Sequence, residues 1–281
     1  MNLSVLRIDP RNPSGNPKEK PMHSSDRGEP QFDPHPDDRF TVLDRLVSAT
    51  WTDVLGTSRL VKTIRSGAVS RELYAIYLLE TYHYTSHNAR NQALVAVRDN
   101  GNPVYSKFCF EHAAEECGHE RMALHDMMSL GIVPPDMQIP DPLAATETLI
   151  AYLYWISSSG NPLRRLGYSY WAESCYDYID PLLRKVQATL GLAPSQMTFF
   201  VAHSEIDADH AATVRQIMQR TCKSDADWEA VADVAQTSLR LTGRLMEAVY
   251  AEYLLFVEGR SRRYGFLRNC VRNGNAPVQG S

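Results

Sequence analysis

The chain has 281 residues, 43% of them apolar, and 29 basic against 33 acidic side chains give a formal charge of −4. That balance excludes a strongly basic nucleic-acid binder, and no apolar run reaches the ~18 residues of a membrane span. The five cysteines, Cys109, Cys117, Cys175, Cys222 and Cys270, are scattered without a CxxC pair, which argues against a disulfide framework or thiolate zinc site and points to a reducing cytoplasm.

Residues 1–38 hold seven of the sixteen prolines among Ser, Asn, Asp and Lys. Such a segment buries too little apolar surface to offset its ordering entropy, so it is expected to be a disordered leader, and the first fifteen residues carry no secretory core. Helical patterns then run over 39–54, 57–66, 70–98, 103–130, 143–158, 162–191, 195–221 and 225–264. They are separated by SGAVS, DNGNP, GIVPPD, SSGNP, GLAPS and KSDAD. GNP at 101–103 and 160–162 places proline where a helix can start, Ser195 is a candidate N-cap, and Pro181 should kink or interrupt its segment near Asp180. The expectation is one all-α bundle of seven or eight helices over 39–265, with a flexible tail at 266–281.

Seven of the nine histidines lie between 83 and 210, beside acids. In LLETYHYTSHNAR, Glu80 and His87 are seven residues apart and share a helix face. In FEHAAEECGHERMALHD, Glu115 or Glu116 stands three or four residues from His119, with Glu111 upstream. YSYWAESCYDYID sets Glu173 in an aromatic run. In HSEIDADH, His203, Asp207 and His210 fall at offsets 0, 4 and 7, within about 60° on one helix face, with Glu205 and Asp209 on the other.

Each segment also has an ordinary structural reading. Glu80 can hydrogen-bond a buried tyrosine, Glu173 can pair with an arginine, and the acids of EECGHE and the HxxxDxxH octet can belong to solvated faces. Taken together they meet the requirement of a di-metal carboxylate site in a bundle, with carboxylates and Glu/Asp–His pairs from several helices. Oxygen and imidazole donors without thiolates suit iron or manganese better than structural zinc.

On these residues the chain resembles the haem-oxygenase-like di-iron oxidases and oxygenases, whose fold is shared with TenA-type proteins and pyrroloquinoline-quinone synthase. The resemblance spans about 45–215. It rests on Glu80 in an early helix, ExxH at Glu116 and His119, Glu173 after aromatics, HxxxDxxH at 203–210, and the early stretch SRLVKTIRSGAVSRELYAIYLLETYHY. It implies two irons held by Glu80, Glu116, His119, Glu173, His203, Asp207 and His210, with His87, Glu115 and Glu111 as alternative ligands. It also implies O2 as co-substrate, an external electron source and a small-molecule substrate, with a homodimer as candidate assembly and neither nucleic acid nor membrane as partner.

Tyr84, Tyr170 and Tyr176 are the candidate pocket residues. The carboxylate-rich helix at 111–120 is reminiscent of members that N-oxygenate small nitrogenous compounds. Oxidative C–C cleavage or decarboxylation of an amino acid or fatty acid is the alternative reaction, and a non-catalytic metal- or cofactor-binding protein the alternative class. A haem protein, with one proximal histidine, would leave the acids unexplained. A thiaminase would need a nucleophilic cysteine, and Cys175 is read as core packing.

Overall fold

The computed structural model describes residues 36–98, 101–131 and 138–268, without the side chains of residues 36, 37 and 202–209. The expected leader and most of the tail lie outside these residues. Every described element is helical: α1 Pro36–Thr57, α2 Arg59–Arg65, α3 Arg71–Thr85, α4 Asn88–Arg98, α5 Pro103–Glu115, α6 Glu120–Ser129, α7 Ala144–Ser158, α8 Leu166–Ala172, α9 Tyr176–Leu190, α10 Thr198–Thr221 and α11 Asp225–Val257. Short 3-10 turns precede α8 and α10.

The all-α expectation holds, but eleven α-helices replace seven or eight because three long segments are each broken. The 70–98 segment breaks at residues 86–87, 103–130 at 116–119, and 162–191 at 173–175. Gly118, with φ of 99°, supplies a left-handed turn at the second break. The third has no glycine or proline and is closed by tight backbone bonds, Cys175 to Ala172 and Tyr178 to Cys175. Pro181 lies within α9 and does not interrupt it.

Local chemistry sets the helix starts. Ser58, Ser70, Asn102 and Ser224 cap α2, α3, α5 and α11 through their side-chain oxygens. Both GNP stretches work as expected, with Asn102 and Asn161 as caps ahead of proline. Ser195 does not cap α10. That role falls to Asp126 of α6, fully buried, whose carboxylate accepts from Thr198 N at 2.8 Å and Phe199 N at 3.0 Å. A buried carboxylate at a helix N-terminus is favoured by the orphan amides and the dipole there, and it fixes α10 against α6.

The 33-residue α11 is the spine, packed against α1, α2, α3, α7 and α8. Gly167 marks its crossing with α8: a Cβ there would collide with the Val231 carbonyl oxygen and the Ala235 amide. Trp171 donates from Nε1 to Ser238 Oγ at 2.8 Å across the same crossing. Packing continues to Leu267, which is fully buried. No described helix is long and apolar enough to cross a membrane.

Candidate metal centre

The three helix breaks carry much of the candidate chemistry. Glu173 ends α8, Glu116 ends α5, His119 precedes α6, and Asn88 opens α4 after His87. A chain leaving helical geometry at these points turns side chains inward that a continuous helix would carry round its axis.

Glu173, 8% exposed, is the hub. Its Oε1 lies 3.1 Å from His112 Nε2 of α5, and its Oε2 lies 3.4 Å from His210 Nδ1 of α10. His112, Glu173 and His210 each bring a ligand-type atom within 4.8 Å of the others. His210 Nε2 is also 3.3 Å from Glu115 Oε2, and His119 Nδ1 is 3.5 Å from Glu116 Oε1. The other oxygen of Glu116 accepts from Asn88 Nδ2 at 2.9 Å.

Behind Asn88 stands Arg165, fully buried. Its guanidinium donates to Asn88 Oδ1 at 2.8 Å, Asn91 Oδ1 at 2.9 Å and Ser169 Oγ at 2.9 Å, and lies 4.5 Å from the Tyr168 ring centre. All three oxygen acceptors are neutral, and Asn88 links the buried cation to the Glu116 carboxylate. The cation offsets the negative charge gathered in the cluster.

Burial alone would raise the Glu173 carboxyl, but pairing with His112 and His210 outweighs it and lowers the group to about 2. The same pairing, against burial, lifts His210 to about 9. Burial would likewise raise Glu116, but the bond with His119 leaves it lowered, and His119 is raised by that bond. His112 Nδ1, buried, has no hydrogen-bond partner. Two imidazoles, a buried carboxylate and an unsatisfied ring nitrogen fit a bound transition metal, and two histidines with one carboxylate form a donor set suited to non-haem ferrous iron.

The expected site residues divide. Glu173 and His210 meet at the hub, Glu115 pairs with His210, and Glu116 and His119 flank it. His203 and Asp207 lie in α10 with His210, and their side chains fall outside the described residues. Glu80 is not among the residues that meet there. It is fully buried and accepts from Leu143 N at 3.0 Å, Thr146 Oγ1 and the Tyr264 hydroxyl, the buried-tyrosine arrangement. His87 bonds through Nδ1 to the Tyr154 hydroxyl at 3.0 Å, and Glu111 is exposed and pairs with Lys107.

His112 is the residue that sequence reasoning missed, although it stands four positions before Glu116 in the same quoted segment. A histidine one helical turn before two acids was the available signal.

A cavity of about 750 Å³ of empty space, its mouth included, opens beside Glu116 and Glu173. Tyr84 and Tyr176 line it as expected, with Tyr168 and Trp171. Tyr170 does not; its hydroxyl donates to Asp44 at 2.5 Å, under the Arg215 guanidinium. Cys175, expected as core packing, is half-buried in the cavity wall.

No curated protein matches the chain. A crystal structure of a domain of unknown function with a haem-oxygenase-like fold from Shewanella denitrificans is 50% identical, covering 78% of this chain and 95% of that one with a TM-score of 0.76. A TenA homologue from P. horikoshii, 14% identical, covers 76% of this chain and 98% of its own with a TM-score of 0.62. A CADD-like protein of unknown function from Nostoc punctiforme, 15% identical, covers 77% and 97% with a TM-score of 0.61. The two distant likenesses concern the fold alone. The family model described as iron-containing redox enzyme matches residues 75–243, a span that includes His112, Glu116, His119, Glu173 and His210, and the chain therefore belongs to the iron-containing redox enzymes with a haem-oxygenase-like fold.

Proposed function

We propose that the protein is a non-haem di-iron oxidase or oxygenase that uses O2 and electrons from an external reductant to oxidise a small organic substrate. The observation that carries this reading is the His112, Glu173 and His210 cluster, whose ligand atoms lie within 4.8 Å of one another. Glu173 turns one oxygen to each imidazole, so that all three side chains converge on one point. His112, Glu173 and His210 would hold one iron. Glu115, Glu116 and His119, with His203 and Asp207 of α10, are the donors for a second.

Ferrous iron, when bound, supplies the electrons and Lewis acidity that O2 reduction requires. The chain's residues do the rest. Asn88 holds Glu116 by its amide, and Arg165 holds Asn88. Tyr168, Trp171, Phe199 and Phe200 give the cavity an aromatic wall that limits water near the acids. The proton that His210 carries in the metal-free fold must leave before its ring can ligate.

Glu111, Glu115 and Glu116 turn to Lys107 and to histidines, which weakens the motive for a nitrogenous substrate. An aromatic and aliphatic wall agrees better with oxidative cleavage or decarboxylation of a carbon skeleton, and we adopt that reaction over N-oxygenation. Anaerobic loading with ferrous iron followed by metal analysis tests the centre. About two irons per chain is expected for the native protein, with loss of iron in His112→Ala and His119→Ala. A native chain that retains none, or a His112→Ala variant that loads like the native protein, overturns the assignment.

A further inference from the structure

A second cavity, with about 540 Å³ of empty space, its open side included, lies next to the first. Its wall is built from α2 through Leu60 and Ile64, from α3 through Leu73, and from α9 through Leu182, Leu183 and Val186. Tyr77, Ile179, Phe200 and Met246 line both cavities. The partition is thus one side chain from each of α3, α9, α10 and α11. Two of them, Tyr77 and Phe200, stack nearly parallel with ring centres 6.3 Å apart.

Here an apolar chamber sits on the far side of four side chains from a cavity that contains two buried carboxylates. Aliphatic walls offer no hydrogen bonds to water, so such a space favours hydrocarbon. The stacked rings and the flexible Met246 can shift by rotation about side-chain bonds without unfolding a helix.

We propose that this chamber is a binding site for the hydrocarbon tail of an amphiphilic substrate, whose polar end lies in the adjoining cavity beside Glu116 and Glu173. The ligand class is a single unbranched apolar chain with one polar end. The chamber stands on its own geometry; only the placement of the polar end at the iron centre rests on the function proposed above.

The test uses the full-length, metal-free chain, so that a failure of iron binding cannot be confused with a failure of the chamber. Straight-chain alkanols, carboxylates and amines of about four to twelve carbons are titrated by calorimetry. Affinity is expected to rise about fourfold for each added CH2 until the chamber is full. Whichever head group binds most tightly identifies the polar end. Leu183→Trp, which places a large ring in the chamber wall away from the partition, should flatten the chain-length dependence while leaving short probes bound as before. Ile64→Phe is the second variant should the first not fold, as judged by its thermal transition. Affinity independent of chain length in the native chain, or a dependence that survives in a folded filled variant, overturns the proposal.

Discussion

Glu80 and Glu173 are both buried carboxylates in the same bundle, and their surroundings differ in kind. Glu80 accepts from a backbone amide and two hydroxyls, which tie α3 to the start of α7 and to the segment after α11. Those donors are neutral, each is satisfied by the contact, and the arrangement closes on itself. Glu173 faces two imidazoles, and His112 keeps a ring nitrogen without a partner. A buried acid surrounded by neutral donors joins elements of the fold, whereas one among imidazoles with unspent valence is prepared for a cation.

The largest expected effect comes from exchanging the roles of these two acids by mutation. Glu173→Ala should weaken ferrous iron binding by at least ~100-fold, because it removes the carboxylate that both imidazoles face. Glu80→Ala should keep the native iron content and lose roughly 3–9 kcal/mol of stability, since three buried donors are left unpaired at about 1–3 kcal/mol each. Metal analysis and urea unfolding check the pair. Equal iron loss in both variants would erase the distinction.

A smaller effect is expected from the groups behind the cluster. Asn88→Ala and Arg165→Met should each lower iron affinity by about 10- to 100-fold, and the double variant should be little worse than the weaker-binding single one, because both act on Glu116 along one path. Additive losses would mean two independent structural defects. The hydrogen-bond partners of Glu80 are a backbone amide and two hydroxyls.

The pH dependence sharpens the contrast further. Glu173, lowered to about 2, contributes stability that is present above its ordinary value and lost as pH falls through about 2. His210, raised to about 9, contributes stability that is complete below its ordinary value and lost as pH rises through about 9. The metal-free fold should therefore draw most on this pair between about pH 4.5 and 6.5, as seen in its thermal transition. Iron competes with the His210 proton, so affinity should climb with pH toward 9, by at most about tenfold per unit. His210→Gln should lose that slope.

The smallest effect is expected at His87. Its ring is engaged by Tyr154 rather than by the cluster, so His87→Ala should retain the native iron content. If His87→Ala drops to one iron per chain while His119→Ala keeps two, the assignment of the early histidine is reversed.

The helical class, the GNP starts and the acid and histidine content of four segments follow from local rules, because capping, proline geometry and a 3.6-residue period act over a few residues. Glu173 and His210 were legible for the same reason, as a polar residue in an aromatic run and the end of a one-face pattern. The breaks at 86–87, 116–119 and 173–175 were not legible, since α3 and α8 are buried on nearly every side, leaving little period to interrupt, and no proline marks the turns. Which acid is a ligand candidate and which a structural tie was also beyond local rules. Tyr264 reaches Glu80 from 184 residues away, Glu173 lies 61 residues from His112, and Asp126 caps a helix 72 residues on. Spacing along a helix states only what could share a face. Which buried acid meets neutral donors and which meets imidazoles is decided by packing α5 and α8 against α10, and that depends on long-range contacts.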